Sequence, residues 1–216
     1  MREVFQRELK DVQDRLVSIS KLVTTIMEDA SEAFIKADKP KAERAINTRV
    51  SVDQQIAALD ELVIWIMARQ APVARDLRTL VSALRISSSF DRMAALSSHL
   101  AEIALMRHPD PAAPVALVDE FRQLALADVS MSKQLTTLLE TFDVELADQI
   151  GAEDDRVDEL QLTLFDAVLQ PGWEGKAANT VDVTLAGRYF ERYADHVVGI
   201  SDKILYLLTG ETHDHS

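Results

Sequence analysis

Residues 5–37, FQRELKDVQDRLVSISKLVTTIMEDASEAFIKA, decide the fold class. Phe5, Leu9, Val12, Leu16, Ile19, Val23, Ile26, Ala30, Phe34 and Ala37 recur at alternating steps of three and four. Such steps place every one of them on a single face of a helix, so the stretch reads as one long amphipathic helix covered by other helices. The pattern stops at Asp38-Lys39-Pro40, where a proline suits the start of the next helix. Outward from there the same period returns five times. A second helix is expected from about Pro40 to Gln70, with Ala45, Val52, Ile56, Leu59, Val63 and Ile66 inside. A third runs from about Val73 to Arg107, with Leu77, Leu80, Leu84, Phe90, Met93 and Leu100 as core positions.

His108-Pro109-Asp110-Pro111-Ala112-Ala113-Pro114 cannot continue a helix and reads as a linker over 109–114. Beyond it, Val118, Phe121, Ala125, Met131, Leu135, Leu138 and Phe142 mark a fourth helix, and Asp143 is placed to cap a fifth, running to about Leu169. Pro171-Gly172 and Gly175 form a break. A sixth helix spans about Ala178 to Leu208, with Gly210 as its stop and 211–216 as a disordered tail. The expected fold is all-α, and the tryptophans Trp65 and Trp173 read as core or bundle-end packing rather than a binding cage.

The third and sixth helices also resemble each other. Phe90-Asp91-Arg92-Met93-Ala94-Ala95 lies over Phe190-Glu191-Arg192-Tyr193-Ala194-Asp195, and Asp53, Ile56 and Leu59 lie over Asp154, Val157 and Leu160. Any two apolar stripes of one period will align, but the shared Phe-acid-Arg-x-Ala block lies at the same place in each half. The chain is therefore read as a tandem duplication of three-helix bundles, 1–108 and 115–210.

Composition narrows the function. With 36 acidic against 23 basic residues, the net charge is −13 and the pI about 4.8, the opposite of what displacing counterions from nucleic acid requires. No apolar run approaches the ~20 residues that cross a bilayer, so no membrane insertion is expected, and the cytoplasm is the default location. There is no cysteine, and hence no disulfide and no thiolate ligand. No phosphate-cradling Gly loop, no G-x-S-x-G, no H-E-x-x-H and no pair of Glu-x-x-His helices occurs, so catalysis has little support and the chain is read as no enzyme.

Acids four residues apart share a helix face and can converge on a hard cation. The second half has two such pairs, Glu191/Asp195 and Asp154/Asp158. Their first-half counterparts are Asp91/Ala95 and Asp53/Ala57, each lacking the second acid. The ordinary reading of such a pair is a solvated face, most of all for Asp154 beside Glu153 and Asp155. On a helical wheel Glu191 and Asp195 lie opposite the Tyr193/Val197/Ile200 core side, with Asp202 on the same face. His196 and His99 read as structural histidines rather than ligands.

Ala186-Gly187-Arg188-Tyr189-Phe190-Glu191-Arg192-Tyr193-Ala194-Asp195-His196 resembles the E-R-x-x-D-H motif on the last helix of the PhoU family. Gln70-Ala71-Pro72-Val73-Ala74-Arg75-Asp76-Leu77-Arg78 is similar to the segment that opens that family's third helix, and Tyr206 to Gly210 to its closing segment. The likeness covers essentially the whole chain, and His99-Leu100-Ala101 looks like actinobacterial members. It implies two PhoU repeats and a negative regulator of phosphate uptake and phosphate-starvation signalling. The implied partners are the ATPase subunit of the phosphate ABC transporter and a sensor histidine kinase. It also implies iron or another divalent metal on Glu191 and Asp195, with Asp91 matching in the first repeat and Arg92, Arg192 and His196 as motif residues. Ala95 stands where the family has a second acid and Gly199 where an Asn is common, which confines the implied metal site to the second half. A metal-dependent bundle and a homodimer joined through exposed apolar stripes are the competing readings.

Overall fold

The computed structural model describes residues 2–210; the tail at 211–216, with His213 and His215, lies outside the described residues. Among the described residues the chain is all-α, with six α-helices and a three-residue 3-10 turn. The helices are α1 (Arg2–Lys36), α2 (Lys39–Gln70), α3 (Ala74–Arg107), α4 (Val118–Thr141), α5 (Glu145–Leu169) and α6 (Ala177–Thr209). At 1.5 Å per residue, α1 is roughly 50 Å long. Asp38 caps α2 by accepting the Lys41 N–H at 3.1 Å, with Pro40 in the first turn. Gly210 ends α6 in the left-handed conformation, φ 79°, donating its N–H to the Tyr206 carbonyl.

Helices α1, α2 and α3 pack on one another, as do α4, α5 and α6. The two triples then meet along α1 against α4 and α3 against α6, leaving α2 and α5 as the outer helices. The junction is apolar and aromatic. Phe34 of α1, Phe121 of α4 and Phe190 of α6 are all fully buried and form a chain with ring centroids 4.9 and 6.2 Å apart. Each such ring contributes about 1.5–3 kcal/mol by leaving water, so one core runs through both triples.

Polar ties run along the same junction. Asp182, at the start of α6 and 3% exposed, is held in a two-pronged ion pair by Arg107 at the end of α3, at 2.5 and 3.0 Å. Ser20 of α1 shares a 2.7 Å hydrogen bond with Thr136 of α4. Residues 109–114 are not a free tether: Ala112 and Ala113 are buried, and both donate their N–H to the Phe34 carbonyl, at 3.1 and 3.2 Å.

Four assignments differ from the sequence reading or narrow it. Leu77 is 37% exposed, because it stands in the first turn of α3, where nothing yet covers it. Phe142 is the left-handed residue that ends α4, φ 57°, which swings its ring outward to 43% exposure. Trp65 is also exposed, its ring face covered by the Arg69 guanidinium at 4.5 Å, so it packs on its own helix rather than in the core. Asp143 does not cap α5 from the expected position. Val144 precedes the first turn, and the Asp143 carboxylate accepts the Glu145 N–H at 3.1 Å.

Candidate functional site

The second-half acids lie within electrostatic reach of one another. Helices α5 and α6 approach closely where α6 carries Gly187: a Cβ there would stand 3.2 Å from Leu164 Cδ1. One turn along α6 from this contact is Glu191, and one and a half turns back along α5 is Asp158. The wheel puts Glu191 on the outward face of α6, but α5 covers it, leaving its side chain 14% exposed. One of its oxygens accepts from Arg188 Nη1 at 2.6 Å, while the other, Oε2, is buried with no partner. Asp195 remains exposed, 3.8 Å from Arg192 Nε.

These carboxylates feel one another. Burial first, then the charges of Asp158, Asp195, Asp155 and Glu191, push Asp154 up to about 6. Burial and Asp195 likewise raise Asp158 and Glu191, with Arg188 opposing both shifts. His196 goes the other way. Burial and the nearby Arg192 hold it below the ordinary histidine range, so it is half-buried and neutral at pH 7.

A fifth carboxylate stands behind the cluster, and sequence reasoning missed it. Asp128 of α4 is completely buried, and neither of its oxygens has a hydrogen-bond partner. Burial, with the charge of Asp154 added, pushes its pKa well above the usual carboxylate range. The signal was available: the core positions read for α4 step from Ala125 to Met131, and Asp128 fills the empty slot between them.

The first half is organised differently. Asp91 lies 3.2 Å from Arg49 Nη2, and Asp53 lies 3.8 Å from Arg49 Nε, so one guanidinium stands between the two surviving acids. Asp91 is thereby paired within its own half, away from the second-half acids. Arg92 is exposed on α3, and Arg192 on α6.

The donor set of the second half, carboxylate oxygen throughout, suits a hard divalent cation. Among the described residues, however, no three histidine, aspartate or glutamate side chains are gathered closely enough to hold an ion as they stand. The arrangement is a set of crowded, partly unsatisfied carboxylates that favours whatever brings positive charge to it. It contains no nucleophile with an adjacent base.

The chain matches the family model described as "PhoU domain" twice, over residues 16–104 and 121–204. It is 35% identical over 210 residues to the phosphate-specific transport system accessory protein PhoU homolog 2 of Mycobacterium tuberculosis, covering 97% of this chain and 99% of the relative. The crystal structure of PhoU from Pseudomonas aeruginosa superposes with a TM-score of 0.87 at 26% identity, over 96% of this chain and all of that one. The phosphate transport system regulatory protein PhoU from Streptococcus pneumoniae shares the fold, with a TM-score of 0.86 at 22% identity over 97% of this chain and 99% of that one.

Proposed function

Because this chain belongs to the PhoU family, we propose that it is a non-catalytic accessory regulator of phosphate-specific transport. In this reading it restrains phosphate uptake and keeps phosphate-starvation genes off when phosphate is plentiful. It works as a cytoplasmic adaptor, between the ATPase subunit of the phosphate ABC transporter and a sensor histidine kinase. The observation that carries the reading is the end-to-end match with an accessory protein, 97% of one chain on 99% of the other. It is also supported by an architecture of long exposed helix faces, with no helix among the described residues long and apolar enough to cross a membrane.

The test is a starvation-gene reporter in cells that lack this protein and any second copy, grown in abundant phosphate. Reporter activity rises and returns to baseline with the wild-type gene. A reporter that stays silent in that strain rejects the regulatory role.

A second reading, binding of iron or another divalent metal by Glu191, Asp195, Asp154 and Asp158, is favoured by one observation. The unpartnered Glu191 oxygen and the mutually raised carboxylates form a site whose charge Arg188 and Arg192 only partly compensate. The metal would supply that compensation when bound, and the chain's own contribution is the crowded α5–α6 contact at Gly187. Metal content per chain, compared between wild type and Asp195→Ala, checks it; equal metal-free preparations after exposure to iron and manganese reject it.

A further inference from the structure

The regulatory reading leaves one feature of this acidic protein unused: a row of cations along the seam of α3 and α6. The two helices run antiparallel in a register that their contacts define. His99 stacks on Tyr189 with ring centroids 5.4 Å apart, Arg85 and Lys203 line one cavity, and Arg92 and His196 fall midway between these two pairs. Each step is seven residues on both helices. On α3 the row continues to Arg78, so Arg78, Arg85 and Arg92 stand about 10.5 Å apart in one line.

In a chain with 36 acidic and 23 basic residues, a free arginine is expected to find a carboxylate. None of these three forms an ion pair with another described residue, and all three are exposed. Lys203 is turned inward instead, donating to the Gly199 carbonyl at 2.5 Å, and burial holds its pKa below the ordinary lysine value. Beside Arg78 and Arg85 the seam opens into a cavity of about 710 Å³, whose apolar lining includes Leu77, Val81 and Tyr206.

We propose that the α3–α6 seam is a docking surface for an acidic helical segment of a partner protein, lying along the seam with carboxylates at seven-residue spacing over Arg78, Arg85 and Arg92. Charge and length select this occupant. The row spans about 21 Å from Arg78 to Arg92, too far for one phosphate ion to bridge. A continuous polyanion has nothing to place against the apolar lining beside Arg78 and Arg85, whereas a helix with acids every second turn carries apolar residues between them. The partner's intervening apolar residues enter the cavity lined by Leu77 and Val81, the helix-in-groove mode with charged flanks setting partner choice. The inference holds whether or not that partner belongs to phosphate transport.

A fluorescein-labelled helical peptide of about 21 residues, with glutamates seven apart and leucine and alanine between, is titrated into the full chain. A second peptide of the same composition has its glutamates consecutive. Anisotropy gives affinity and amide chemical shifts give the footprint. The spaced peptide binds about tenfold more tightly than the clustered one and shifts amides within 77–92 and 196–206. Arg85→Glu/Arg92→Glu weakens it by a further factor of about ten, Arg85→Gln/Arg92→Gln by less, with circular dichroism showing both variants folded. Equal affinity for the two peptides, a footprint elsewhere, unchanged binding by the variants, or no binding up to about 1 mM overturns the proposal. So does a single-stranded oligonucleotide or inorganic pyrophosphate that binds the same amides more tightly than the spaced peptide.

Discussion

Asp154→Asn should make the protein more stable, with a gain that appears only as pH rises above about 4. The carboxyl stands at about 6 in the folded protein against an ordinary 3.8, because burial and the charges of Asp158, Asp195, Asp155 and Glu191 oppose its ionisation. A folded-state pKa above the unfolded one means that the folded form binds the proton more tightly. Stability is therefore lost as pH rises from about 4 to about 6, and the penalty is complete above that window. At about 1.4 kcal/mol per pKa unit the full shift corresponds to roughly 3 kcal/mol; solvent screening of this half-buried group halves it to about 1.5 kcal/mol. Asparagine keeps the shape and the helix propensity of aspartate while removing the charge. Urea unfolding is the assay, because guanidinium would screen the interaction being measured. At pH 8 the variant's midpoint lies above wild type by about 0.5 M, and at pH 3.5 the two coincide. Equal stabilisation at both pH values would assign the gain to packing, and destabilisation at pH 8 would refute the repulsion outright.

Other consequences can be checked on the same preparation. Phe121→Ala removes the central ring of the Phe34–Phe121–Phe190 chain and costs about 3–5 kcal/mol in urea unfolding. Tyr193→Phe removes the 2.7 Å hydrogen bond to Ser132 in a fully buried position and costs about 1–1.5 kcal/mol by the same assay. Arg107→Met leaves the buried Asp182 unpaired and lowers the thermal midpoint, and Asp182→Leu added to it restores the loss. Asp128→Leu, which removes a buried acid without partners, raises the thermal midpoint at pH 8 more than at pH 4.

The helices were legible because their ends carry strong local chemistry. Pro40 after Asp38, Pro72 after Gln70, and Gly210 in the left-handed conformation each act within one turn, and sequence shows them directly. Leu77 and Phe142 were misplaced for the converse reason. Their period is right, but a residue in an end turn or on the far edge of a stripe is covered only if another helix reaches it, and neither composition nor spacing says where that helix stops. The acid pairs of the second half were visible as spacing, yet the cover over Glu191 came from α5, through the glycine contact at Gly187. Asp128 leaves no mark in an apolar pattern, because it is an acid in a core slot of α4 and core slots are ordinarily apolar. The single arginine between Asp53 and Asp91 could not be read at all, since it depends on α2 and α3 lying side by side.

The connection at Ala112 and Ala113 has a thermodynamic meaning. Two amides of the connecting segment close onto the carbonyl that ends the last turns of α1, in the same place where the aromatic chain crosses from one triple to the other. The duplicated units are consequently expected to share one melting event instead of two, which calorimetry would show as a single transition. Cutting the backbone at this point yields fragments that remain associated and denature together. Any stabilisation of α5 and α6 is then expected to protect α2, three helices before α5, from hydrogen exchange through global unfolding by the same free energy.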